Sequence, residues 1–173
     1  LGPDKRSIAV PLALTLAVLS AASSLRVHPY YTSYFNTLSG GPENGWRLLG
    51  FSNIDWGQDI LEVDKWLKAH PDRRPLVMDI DYFGMNGNLF DVPTSIPPKL
   101  PKGASVDEVR RSITETQWWI ISVKKLYNLP DLPGLEYLQQ LQPVEKIAYA
   151  YYVYRIDPLP ADPQAPIQEP MQE

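Results

Sequence analysis

A chain of 173 residues with 44% hydrophobic and 11% aromatic residues has the composition of one globular domain with short appendages, and its length leaves little room for a second core. The net charge of -4 originates in the last seventeen residues, where Asp157, Asp162, Glu169 and Glu173 stand without a Lys or Arg; removing these four leaves 16 acidic residues against 16 basic ones, so no basic face is implied and nucleic acid is not an expected partner. The absence of cysteine excludes disulfides, thiolate nucleophiles and cysteine-based zinc sites, and 18 prolines against 10 glycines predict stiff connections.

The chain opens without Met in a polar run, Leu1-Gly2-Pro3-Asp4-Lys5-Arg6, and is read as part of a longer protein. From Ile8 to Leu25 no residue is charged, and Ala, Leu, Val and Ile dominate. As a helix this stretch reaches roughly 27 Å, close to the hydrocarbon thickness of about 30 Å. Residues 1–27 are therefore expected to form a transmembrane helix or anchor. Lys5 and Arg6 before it favour a cytoplasmic N-terminal side, which puts everything after Arg26 outside. Two other readings share these features. Ser20-Ala21-Ala22 resembles a signal-peptide cleavage site, and Pro11, Ser20, Ser23 and Ser24 dilute the stretch enough for a buried core helix. The rings of His28-Pro29-Tyr30-Tyr31-Thr32-Ser33-Tyr34-Phe35 suit the headgroup level.

Residues 28–156 are expected to form the domain. Thr32 to Leu38 reads as a short juxtamembrane helix ended by Gly40-Gly41-Pro42, with one further turn over Glu43 to Leu49. Trp56, Ile60, Val63 and Leu67 recur at helical spacing and predict an amphipathic helix from Asp55 to about Ala69, with Asp55 and Gln58 as a capping pair and His70-Pro71 as its stop. Pro75 to Gly84 reads as a buried strand, and the prolines of Asp91 to Pro101 as a connection unfit for a central strand. Ser105 to Thr114 reads as a helix with Ser105 and Glu108 as capping box. Gln117 to Val123 is a candidate central strand, Pro133 to Leu141 a short helix, and Ile147 to Ile156 a third strand. Five prolines and no aromatic residue after Asp157 predict an extended or disordered tail over 157–173. Helix and strand alternate, so the expected fold is a small α/β sandwich, a mixed sheet of about three or more strands flanked by helices.

Catalytic patterns are scarce. His28 and His70 are the only histidines and stand in no metal or triad pattern, while Gly84 and Gly87 suit a turn better than a phosphate loop. Asp79-Ile80-Asp81 would put two carboxylates on one strand face, where a divalent cation could be held, but acids two apart are common and a solvated strand end explains them as well. The densest cluster is Ser52-Asn53-Ile54-Asp55-Trp56-Gly57-Gln58-Asp59. Capping accounts for Asp55 and Gln58, the apolar stripe for Trp56, and tight packing for Gly57. Ser52, Asn53 and Asp59 are left over. Sugar hydroxyls, which donate to a carboxylate and exchange hydrogen bonds with an amide or hydroxyl beside a stacking indole, fit the set better than an anion does.

The order of segments resembles the C-terminal end of bacterial protein-mannosyltransferase-like integral-membrane glycosyltransferases, which use a polyprenyl-phosphate sugar donor. The matching pieces are a final apolar helix, HPYYTSYFNTLSGGPENGWRLLGFSNIDWGQDILEVDKWL, a YFG turn after a strand, WWIISVKKLYN, and PVEKIAYAYYVYRI. SNIDWGQD together with YFNTLSGGP is the most specific part, and the Asp79/Asp81 pair departs from the family pattern. The resemblance implies the last transmembrane helix plus the extracytoplasmic domain of such an enzyme, partnered by the membrane and by the rest of its own chain. No residue matches the family's catalytic carboxylate, so no catalytic residue, metal or cofactor is expected. Asn53, Asp55, Trp56, Gln58 and Asp59 are the expected contacts to donor or glycan acceptor. Two further readings stand beside it: a freestanding anchored module that binds glycan or protein, and a small metal-dependent sugar transferase built on Asp79 and Asp81.

Overall fold

Residues Gln117–Ser122 carry two indoles and two isoleucines in succession, a run that gains only when both faces of a strand are covered. In the computed structural model, which describes residues 5–45, 56–57, 59–80, 90, 92–127 and 134–160, this run is the central strand β3. With β1 (Leu76–Asp79), β2 (Thr94–Ser95), β4 (Glu145–Ile147) and β5 (Tyr151–Ile156) it forms a five-stranded sheet of order β2-β1-β3-β5-β4. β1 runs parallel to β2 and β3, whereas β5 is antiparallel to both β3 and β4. The register Met78↔Ile120↔Val153 puts these three on one face, and Val77↔Trp119↔Tyr154 on the other. Trp119, Ile120, Ile121 and Val153 are at most 1% exposed, so both faces are covered.

The α-helices are α1 (Lys5–Leu25), α2 (Ile60–Ala69), α3 (Val106–Ser112) and α4 (Val123–Tyr127). α2 covers the face of Ile120 and Val153, since its Trp66 and the following Arg73 reach Glu145 and Trp118 on that side. The opposite face receives a 3-10 turn, Glu136–Gln140, whose Tyr137 meets Trp119 edge-on at 6.4 Å. The expected mixed α/β sheet flanked by helices is thus the observed architecture. α3 has the expected capping box: the Ser105 hydroxyl accepts from Asp107 N–H at 3.2 Å, and Glu108 accepts from Ser105 N–H at 3.2 Å.

α1 is long and apolar enough to cross a membrane: none of Ile8–Leu25 is buried, and its mean hydropathy is 2.0. A core helix of this domain would be covered by it, so that reading falls. The juxtamembrane helix expected over Thr32 to Leu38 is replaced by two 3-10 turns, Tyr31–Ser33 and Thr37–Ser39. Asn36 diverts the chain there, because its Oδ1 accepts from both N–H and Oγ of Ser39, a local bond that competes with helix.

Four other expectations are corrected. α2 begins at Ile60, with Asp59 at its N-cap position and no side-chain cap bond, instead of at Asp55. Gly57 explains this: its φ of +85° lies in the left-handed region and cannot continue a right-handed helix. The strand expected over Ile147 to Ile156 is split into a hairpin, turned at Ala148 with φ of 50°, in which Glu145 pairs with Val153. The expected helix over Pro133 to Leu141 is the 3-10 turn named above. Val123, read as the end of a strand, instead opens α4.

The chain also stays docked beyond Ile156. Asp157 Oδ1 accepts from Thr116 at 2.7 Å and Leu159 N–H donates to the Arg110 carbonyl at 2.8 Å, tying 157–159 to α3 and the start of β3. Residues 161–173, most of the expected tail, lie outside the described residues.

Candidate functional site

Five residues after α1 ends, the chain reaches Tyr30 and the domain's first tertiary contacts. Val27, Ser33 and Phe35 are buried, so the segment following the apolar helix folds onto the domain instead of hanging between the two. The Tyr30 ring meets Tyr149, in the β4–β5 turn, edge-on at 5.8 Å. Its hydroxyl lies near Glu62 in the first turn of α2, whose carboxylate accepts from Lys65 at 2.6 Å. Partial burial, and then the negative charges of Glu62 and Asp59, push the Tyr30 hydroxyl above its ordinary value. Those two charges identify what lies beside it. The end of the octapeptide and the start of α2 lie close to the first residues beyond the apolar helix.

Within the octapeptide, accessibility is the reverse of what helical spacing predicts. Trp56, expected to be the buried anchor, is 57% exposed. Asp59, expected to be on the open edge, is 3% exposed, and its carbonyl accepts from Glu62 N–H at 3.0 Å. The left-handed turn at Gly57 causes both changes, since it rotates Trp56 off the face occupied by Val63 and Leu67 and turns Asp59 inward. Asp59 therefore stands buried at the start of α2. Asn53, Asp55 and Gln58 lie outside the described residues. Tyr30 and Glu62 were missed by sequence reasoning. Glu62 lies off the stripe of Ile60, Val63 and Leu67, and nothing local indicates that it comes near Tyr30.

At the other candidate, the carboxyl end of β1, Asp79 is paired with Lys125 of α4 at 3.4 Å. The same carboxylate lies near Tyr137, whose hydroxyl donates to the Pro98 carbonyl at 2.8 Å and is raised in pKa by burial first and by Asp79 second. Asp79 is thus engaged by a fixed cation, which competes with any divalent ion for it. Asp81 lies outside the described residues. Among the described residues no three His, Cys, Asp or Glu side chains converge as metal ligands.

The C-terminal end of α2 is held by a closed cluster. Glu145 accepts from Trp66 Nε1 at 2.6 Å and from Arg73 Nη1 at 2.7 Å, and the Arg73 guanidinium lies 4.4 Å from the Trp118 ring centroid and 5.2 Å from that of Trp66. Burial alone would raise the Glu145 carboxyl, but the two hydrogen bonds and the Arg73 charge outweigh it and hold it below its ordinary value. This cluster fixes the angle of α2 on the sheet, and with it the position of Asp59 and Glu62 beside Tyr30.

No protein-family model matches this chain, and neither a curated protein nor a solved structure matches it.

Proposed function

We propose that the chain is the membrane-proximal, non-catalytic part of a membrane glycosyltransferase, lying on the extracytoplasmic face and helping to receive a polyprenyl-phosphate sugar or the glycan acceptor beside the bilayer. The observation that carries this reading is the exposed Trp56, three residues before Asp59, which with Glu62 lies close to Tyr30 just beyond the apolar helix. An indole presented there has one face for a sugar ring and lies within reach of a donor whose lipid tail stays in the membrane. Asp59 and Glu62 serve by holding the turn that presents it.

The test is the substitution Trp56→Ala in the intact membrane protein. Sugar transfer from a polyprenyl-phosphate donor is expected to fall about tenfold in kcat/KM, with the melting temperature unchanged and Trp56→Phe retaining most activity. Full transfer by a folded Trp56→Ala protein would remove the binding role.

A further inference from the structure

Beyond that function, we infer that a cleft at the end of α1 seats the headgroup phosphate of an anionic glycerophospholipid. The cleft has a volume of about 360 Å³, within the range of ligand-sized pockets, and its walls include Ser23, Arg26, Phe35, Gly41, Pro42 and Tyr149. Arg26 N–H still bonds to the Ala22 carbonyl, so the last helical turn continues through it and Ser23 and Arg26 share one helix face, three residues apart. That face combines a cation and a hydroxyl. Tyr34 donates to Ser23 Oγ at 3.3 Å, which leaves the serine proton to be given to an acceptor.

The charge around the cleft favours an anion. Arg26 is exposed and, among the described residues, has no carboxylate within ion-pair distance. The acidic groups nearby are already engaged, Glu43 with Lys146 and Glu62 with Lys65. The C-terminal dipole of α1 supplies about half a negative charge, which offsets only part of the guanidinium's full positive one. A singly charged phosphodiester fits what remains. Its source follows from position: Val18 and Leu19, at most two turns before Ser23, are exposed and apolar. A phosphate in the cleft can therefore carry acyl chains that lie along α1, whereas a soluble phosphate would leave that surface uncovered. Phe35, Pro42 and Tyr149 close the headgroup side against the domain.

The inference rests on α1 lying in a bilayer, not on the glycosyltransferase reading, and its test separates the two premises. The full chain is placed in phosphatidylcholine nanodiscs containing a minority of phosphatidylglycerol, extracted with mild detergent, and its retained lipid counted by native mass spectrometry. Retained phosphatidylglycerol is expected on the unaltered chain, falling about fivefold with Arg26→Gln. Arg26→Lys should keep part of it, and Ser23→Leu, which fills the cleft mouth without touching the charge, should also lower it. Equal retention of the two lipids by a chain that enters the discs would overturn the lipid site and leave the membrane helix standing. Failure to enter the discs would overturn both. Displacement of the lipid by inorganic phosphate alone would replace the lipid site with a soluble-phosphate site.

Discussion

Both ends of α2 are tied to the rest of the chain by an aromatic ring, a carboxylate and a cation, yet the two ties are enclosed to different degrees. At the C-terminal end, Glu145 has a bond to each oxygen, and Arg73, only 19% exposed, lies between two indoles. At the N-terminal end, Glu62 lies near Tyr30 and pairs with the exposed Lys65, and Trp56, six residues earlier, is 57% exposed. A group whose cation and indole are covered contributes more to stability. An open one contributes less and keeps its recognition surface. The same ingredients therefore make a structural tie in one place and the proposed binding surface in the other.

Four substitutions test that contrast, in order of expected effect on stability. Arg73→Ala removes an ion pair and two ring contacts and should cost about 2 kcal/mol, measured by urea unfolding of the full chain in detergent. A loss no larger than that of an exposed control would show the cluster is not the tie described. Glu145→Gln should act chiefly at low pH. Because the folded Glu145 carboxyl sits below its unfolded value of about 4.3, its contribution is present above that pH and fades as pH falls through the lower folded value. The variant's acid-unfolding slope should accordingly be shallower than that of the unaltered chain, and identical slopes would contradict the assignment. Tyr30→Phe removes the hydroxyl beside the Glu62 carboxylate, which is 26% exposed, and should cost about 1 kcal/mol or less, with a loss of sugar transfer because the turn at Gly57 loses its support. Trp56→Ala should change stability by less than about 0.5 kcal/mol, as expected for an exposed side chain, while transfer drops as stated above. A large stability loss there would place Trp56 in the core and close the contrast.

How far the fold could be read from the residues varied with how local its causes are. Ser105 and Glu108 announced α3 because both partners of a capping box lie within four residues. The bulky run at Gln117 announced a central strand because continuous apolar character requires cover on both sides. The stretch from Ile147 to Ile156 misled for the opposite reason. Its alternation suits one long strand, but Ala148 turns so that Glu145 can pair with Val153, and Glu145 in turn reaches Trp66, seventy-nine residues away in sequence. No window of local sequence contains that partner.

For the candidate site the division is sharper. Composition and order alone determined that an apolar helix precedes a mixed α/β domain, and that the domain holds an octapeptide dense in polar groups with one indole; that the helix is unburied came from the structure. The tertiary structure decided which of those groups are offered. Gly57 is free to take a positive φ, and the placement of α2 near Tyr30 and on the sheet makes it do so. That single backbone choice turns Trp56 outward and Asp59 inward. Helical periodicity cannot foresee it, since a glycine's conformation is set by its surroundings and not by a side chain of its own.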